Sequence, residues 1–546
     1  MLNVESLRTW EFNSSFPIRS IVPVYLVSGP AMVLLRCLRS AGFQNIISSY
    51  TILVMPRLAM LFLSFLIDLC VFRVVEVLGG NGKAGVVLVA SSYVTIVYYT
   101  RTFSNSFEGI LLAVLLIETL TVKSSQSSAV ESKDGKQKSH RDSVMVRGSG
   151  IRVALVIVLG LFNRPTFAAY AAVPFIYWVF KRNATDRQLY ADQVLSKTLG
   201  TLLAAVFFTA FFTICDSVYF GSLLPVPGEI ISALQDVGFC DFFLKNLTVT
   251  PLNFLLYNAQ FNNLASHGIH PMYLHVVINV QILFCMLGIF AAKDVIRLVI
   301  NVFRNGTVAV NSLASVVLLS YAVPLLLLSF FPHQEPRFLI PLLCPLAVLG
   351  TAEIFGSKSK RYITISWVIF NVFALAFFGF AHQGGVIRAI SRLRHDAVGA
   401  EHPQATTDAV FWRTYMPPRH LFLSRKHRFP AERGYRVHDL AGASTERLSE
   451  FLISFRNSSK YGSLLLISPG SLQHKVQCLH DSFELQVMDR FWPHFSGEDL
   501  PTADLILCRE NAQSKSNVNC QSQCLLERIY SAFSLYLYRI SWKAKD

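Results

Sequence analysis

The sharpest chemical feature of the sequence is His333-Gln334-Glu335-Pro336-Arg337-Phe338, which interrupts two strongly apolar runs, LLSYAVPLLLLSFFP and LIPLLCPLAVLG. Ionisable groups at a membrane boundary are costly to keep and usually functional. Arginine offers a planar fork of donors and histidine can donate or carry charge, so His333 and Arg337 beside Glu335 suit an anionic phosphate. The bland alternative is a capped turn whose charges face water.

Three other polar islands break apolar sequence. Arg101, Asn105 and Glu108 lie where the runs 84–100 and 106–122 meet. They read as a site or as an Arg101–Glu108 structural pair. Asn163-Arg164-Pro165-Thr166 interrupts another run, because proline lacks the helix donor. An arginine at such a break suits a phosphate or a sugar hydroxyl, and a plain turn fits as well. The third island starts at Asp216 and Tyr219 and continues through Asn253 to His267 and His270. Asn, His and Tyr bind sugars by hydrogen bonds and stacking, and they also make ordinary turns. His267 and His270 have metal-ligand spacing but no third ligand, so no metal and no cofactor is read here. Arg57 and Asp68, about three helical turns apart, read as a pairing inside the bundle.

The elements that must carry these islands are membrane helices. Of 546 residues, 52% are hydrophobic and 15% charged, with mean hydropathy +0.44. Soluble chains carry roughly 25% charged residues. A spanning helix needs about 20 mostly apolar residues, and fewer when helices break inside a bundle. Ten runs qualify: 51–72, 84–100, 106–122, 151–162, 166–180, 198–215, 275–292, 312–331, 338–355 and 362–381. The weaker run 20–38, with Pro23, Pro30, Arg36 and Arg39, reads as interfacial.

The net charge of +15 and the pI of about 9.4 come from short clusters between the runs. That is the positive-inside pattern, not a nucleic-acid patch. Lys123 to Arg152, Lys181 to Lys197, Lys293 to Arg304 and Lys358 to Arg361 all fall on one side, read as cytosolic. The polar islands fall on the other side, with the sequons at Asn13, Asn246 and Asn457. Residues 382–546 turn polar and basic, with short apolar strands at Ser463–Ile467 and Leu505–Leu507, and read as a luminal α/β domain. The expected fold class is therefore mainly α. It comprises a luminal and interfacial segment 1–50, a polytopic helix bundle 51–381 and the C-terminal luminal region. Of ten cysteines, five sit in or beside apolar stretches, and Cys478, Cys508, Cys520 and Cys524 could pair in an oxidising lumen. A transporter would show matching broken helices in two halves, and Pro165 has no counterpart.

These motifs resemble the dolichyl-phosphate-mannose-dependent mannosyltransferases of glycosyltransferase family 22, with GT-C architecture. HQEPRF is similar to that family's signature. YTRTFSNSFEG (99–109), LFNRPTF (161–167), DSVYFG (216–221), TPLNFLLYN (250–258), NLASHGIHPMYLH (263–275), HQGGVI (382–387) and FWRTYMPP (411–418) follow the family in order. The resemblance implies an inverting transfer of mannose from dolichyl phosphate mannose, in the lumen of the endoplasmic reticulum. The acceptor would be the third mannose of a glycosylphosphatidylinositol (GPI) precursor, the new linkage α-1,2, and the setting the lipids of that membrane. Sister enzymes for the third GPI mannose or for N-glycan precursors are the alternatives, as is a truncated or inactive paralogue. On this resemblance His333, Glu335, Arg337, Arg101, Asn105, Asn163 and Arg164 hold the donor phosphate or sugar. Asp216, Tyr219, Asn253, His267 and His270 serve the acceptor side. The family pattern opens with an apolar helix and an acidic HPDE-like motif, and the sequence here starts just before Thr9-Trp10-Glu11-Phe12. Two expectations follow: the sequence is a truncated piece of a longer one, or another acid serves as the catalytic carboxylate, with Glu11 the candidate and Glu5 the other carboxylate nearby.

Overall fold

The computed structural model describes residues 9–121, 135–181, 187–223, 246–260, 262–263, 268–305, 312–356, 361–399, 407–423, 435–457, 464–481, 483–497, 499–501 and 525–542. His267, Cys240, Cys508, Cys520, Cys524 and the 505–507 strand lie outside them, as do Lys358 and Lys360. Cys478 is a free thiol.

Among the described residues six helices are long and apolar enough to cross a membrane: Val22–Ser40, Ser49–Val77, Ser104–Thr121, Gln188–Phe220, Pro336–Phe355 and Arg361–Ala381. Ser149–Asn163, Phe167–Phe180, Leu274–Phe284 and Leu313–Ser329 are shorter apolar helices. The most apolar 18-residue stretches of Ser104–Thr121 and Pro336–Phe355 are each 72% buried and form the interior, whereas those of Gln188–Phe220 and Arg361–Ala381 are each 17% buried and face outward.

Two expectations change, and a third is left open. The run 20–38, read as interfacial, is helical over Val22–Ser40 and by length and composition also qualifies to cross, despite Pro30. The run 84–100 breaks at Ser91–Ser92 into Gly82–Ala90 and Tyr93–Val97, each too short to span. Arg57 and Asp68 form no ion pair. Eleven residues at the helical rise separate them by about 16 Å, and Asp68 Oδ1 is buried without a partner.

The chain divides into two units, described separately. One takes its described residues from 9–31 and 55–371 and contains the helices that pack around Ser104–Leu116. Here Gly160 matters: a Cβ would lie 2.0 Å from Cδ1 of Phe167, so glycine lets that ring close the 163–167 break.

The other unit takes its described residues from 32–54 and 372–542. Its mixed five-stranded sheet has the order β2-β1-β3-β5-β4, with β1 Thr407–Phe411, β2 Tyr435–Asp439, β3 Leu464–Pro469, β4 Phe483–Phe491 and β5 Leu535–Trp542. Strands β1, β2 and β3 are parallel, and β5 runs antiparallel to both β3 and β4. The LLLISP run of β3 is buried throughout, as a strand covered on both faces should be. Leu448 and Leu452 of the Thr445–Asn457 helix pack on it with Trp412 and Tyr538. The bundle with its C-terminal α/β region is thus the architecture present.

Candidate active site

The hexapeptide 333–338 gets its geometry from Pro336. Proline bars the helical region to the residue before it, and Glu335 is extended at φ −113° and ψ 143°. Alternate side chains of extended backbone share a face. His333 and Glu335 therefore share one side, while Gln334 turns inward, 2% exposed, and Arg337, in the first turn of the 3-10 helix Pro336–Leu342, folds back onto Glu335. Gln334 closes the helix break: its Nε2 donates to the carbonyls of Ser329 at 2.8 Å and Phe331 at 3.1 Å, and its Oε1 accepts from His275 N at 2.9 Å. Tyr170 donates to the Phe338 carbonyl, and Tyr99 to that of Ile340 at 3.0 Å.

On the outward face Glu335 Oε1 accepts from His333 Nε2 at 2.9 Å and Arg337 Nη2 at 2.8 Å. The other ring nitrogen of His333 lies 3.3 Å from the Gly268 carbonyl. Both nitrogens face acceptors, the pattern of an imidazolium. The hydrogen bond to Glu335 raises the His333 pKa against the opposing effect of burial. Burial alone would raise Glu335, but His333 and Arg337 outweigh it and hold the carboxyl at about 2. The stability from His333 is complete below the ordinary histidine value, about 6.5, and drains as pH rises through its elevated folded value. The stability from Glu335 is complete above the ordinary glutamate value, about 4.3, and drains as pH falls through about 2. A His333→Gln variant should therefore melt below wild type in mildly acidic detergent solution, by about 1 kcal/mol or less. The gap should close as the pH is made alkaline, and a gap that widens would refute the imidazolium.

A second cluster forms where Ser149–Asn163 gives way to Phe167–Phe180. Arg164 is buried, its guanidinium 5.0 Å from the Phe338 ring centroid and its Nε 3.9 Å from Glu108 Oε2. Glu108 is fully buried and accepts from Thr166 Oγ1 at 2.9 Å and Asn105 Nδ2 at 3.3 Å. Glu108, offered by sequence as the partner of Arg101, thus meets Arg164. Asn163 Nδ2 donates to the Ser104 carbonyl at 2.9 Å. Burial, then the nearby charge of Arg19, lowers Arg164 to about 10, with Glu108 opposing and Arg337 adding to the fall.

The third contribution comes from the segment before Val22. Glu11 Oε1 lies 3.0 Å from Arg19. Arg19 also donates to the Asn163 carbonyl at 3.3 Å and stands 5.3 Å from the Phe254 ring centroid. Asp216 accepts from Ser20 Oγ at 2.9 Å, Ile21 N at 3.0 Å and Thr250 Oγ1 at 2.7 Å, and Asn253 Nδ2 donates to the Pro17 carbonyl at 2.9 Å. These two residues anchor the segment that presents Glu11 and Arg19.

All three contributions face one cavity of about 780 Å³. Glu11, Arg19, Arg164, His333, Glu335 and Arg337 line its polar part, while Ala168, Leu255, Leu327 and Phe331 line its apolar part. Three guanidiniums around an apolar-walled space suit a phosphate carried on a lipid. Asn105 and Asn163 lie buried behind the lining. Arg101, Asp216, Tyr219 and Asn253 are not among the lining residues. His270 braces the hexapeptide, its N donating to the Pro332 carbonyl at 2.8 Å and its Nδ1 accepting from Gln334 N at 3.3 Å. Arg19 and the inward Gln334 carry no mark of a site role in the sequence by themselves. Arg19's closeness to the Trp10-Glu11-Phe12 motif was the available signal.

The model of the Alg9-like mannosyltransferase family matches residues 1–424. The chain belongs to the Alg9-like mannosyltransferase family. It is similar to the human GPI alpha-1,2-mannosyltransferase 4, at 32% identity over 93% of this chain and 84% of that one. It is also similar to the GPI mannosyltransferase 4 of Drosophila melanogaster, at 30% over 88% and 73%, and of Candida albicans, at 31% over 77% and 72%. A solved oligosaccharyltransferase from Archaeoglobus fulgidus aligns with 85% of this chain and 61% of its own, at 12% identity and TM-score 0.36. By its family and its long apolar helices, this mannosyltransferase is a multi-pass membrane glycosyltransferase, working between a sugar donor and a glycolipid acceptor.

Proposed function

We propose that the chain transfers mannose from dolichyl phosphate mannose to the third mannose of a GPI precursor, forming an α-1,2 linkage at the luminal face of the endoplasmic reticulum membrane. The observation that carries this reading is the convergence of Arg19, Arg164 and Arg337 with His333 on one partly apolar cavity. Relatives named GPI mannosyltransferase 4 support the choice of acceptor. The acceptor hydroxyl oxygen attacks the anomeric carbon as the bond from that carbon to phosphate oxygen breaks. The β-linked donor is thereby inverted and dolichyl phosphate departs with both bonding electrons. The cationic groups stabilise the departing phosphate.

The attacking hydroxyl must lose its proton to a carboxylate. Among the described residues, Glu11 and Glu335 are the two carboxylates that line the cavity. Glu335, held at about 2, is a weak base. Glu11 takes the role in this reading. Residues 382–546 form the luminal domain and 51–381 the transmembrane domain in the same proposal.

Expression in a yeast strain unable to add the fourth GPI mannose tests the assignment. The chain should restore growth and a four-mannose precursor. Rescue of a strain lacking a sister step instead would overturn it.

A further inference from the structure

We propose that Trp10 and Tyr257 form an aromatic platform that binds a pyranose ring of the acceptor glycan. This subsite is separate from the cationic groups that take the donor phosphate. The proposal rests on the mannosyltransferase reading of the cavity and assigns its acceptor side.

Both rings line the cavity, with centroids 5.1 Å apart and planes at 37°. Trp10 is 52% exposed. Leaving so large an apolar ring half open forfeits burial that would stabilise the fold, and a ligand can recover that term. A hexopyranose has a face of C–H bonds that complements the electron-rich face of indole or phenol. Its hydroxyl rim needs polar partners beside the rings. Asn258 is one: its Nδ2 is committed to the Phe254 carbonyl at 2.8 Å, which leaves its oxygen to accept from a hydroxyl. Glu11, next to Trp10 in the chain, is the other, and it is the carboxylate that would take the proton.

The platform is also held in place. Phe12 N and Asn13 N close the turn onto the carbonyls of Thr9 at 3.0 Å and Trp10 at 3.1 Å. Ile18 N returns to the Glu11 carbonyl at 3.0 Å. On the facing helix, Thr250–Ala259, Asn253 holds the Pro17 carbonyl. Trp10 and Tyr257 therefore belong to two elements fastened to one another, so their geometry exists before a sugar arrives.

The test uses the full chain in liposomes, with initial rates measured against acceptor and donor separately. Trp10→Ala and Tyr257→Ala should each raise the acceptor KM about tenfold or more. The donor KM should stay within about twofold, and Trp10→Phe should recover most of the loss because it keeps an aromatic face. A rise in donor KM, or an unchanged acceptor KM, would overturn the platform. A soluble α-linked mannotriose keeps the proposal testable if the alanine variants fail to fold. It should shift the tryptophan emission of the wild type but not of Trp10→Phe, and identical responses overturn the proposal. Failure of the underlying reading looks different: the wild type would transfer no mannose from dolichyl phosphate mannose to any mannose-terminated lipid, whatever the emission shows.

Discussion

Replacing Arg164 with alanine should cost about 3–5 kcal/mol of stability, because it strands a buried carboxylate. Glu108 is fully buried, and Arg164 is the cation 3.9 Å from it. The same change removes the guanidinium beside the Phe338 ring, one of three that line the cavity among the described residues. Loss of a group aimed at developing charge costs roughly 10²–10³ in rate. The two effects can be separated. The double variant Arg164→Met with Glu108→Gln removes the buried charge together with its partner, so most of the melting temperature should return while transfer stays low. Recovery of transfer along with stability would show that Arg164 acts only as a strut.

Glu11→Gln should lower kcat by about 10²–10⁴, the usual range for a general base. The donor KM should change little, since the phosphate ligands remain. Glu11 is also 3.0 Å from Arg19, so part of any loss could come through a displaced Arg19. Arg19→Lys provides the comparison: it should raise the donor KM and spare kcat. If Glu11→Gln instead matches Arg19→Lys in raising only the donor KM, Glu11 positions the arginine and the proton goes elsewhere.

The membrane helices were readable because each is a local property of a stretch of chain. Breaks were less readable. Ser91–Ser92 stops a helix that hydropathy alone joins into the run 84–100, and Cys285 at φ 44° divides 275–292 in the same way. The hexapeptide stood out because its charges interrupt apolar sequence, and Pro336 even announces the extended Glu335 that shares a face with His333. Arg19 did not stand out, because its neighbours Asn163 and Phe254 are distant in sequence. Asp216 looked like a ligand for substrate. Its oxygens instead accept from Ser20, Ile21 and Thr250, a role that depends on three chain segments meeting. Side chains that act through tertiary hydrogen bonds leave little local trace, whereas charges in apolar surroundings do.

Two positions from different walls of the cavity, Asn258 and Phe331, put the central claim to its most direct test. Asn258→Cys and Phe331→Cys, each in a chain freed of other accessible thiols, are exposed to an impermeant maleimide in sealed vesicles from the endoplasmic reticulum. Both should react only after the vesicles are opened, and added dolichyl phosphate mannose should slow both reactions. Labelling from opposite faces of the bilayer, or rates indifferent to the lipid, would mean that no shared donor cavity exists.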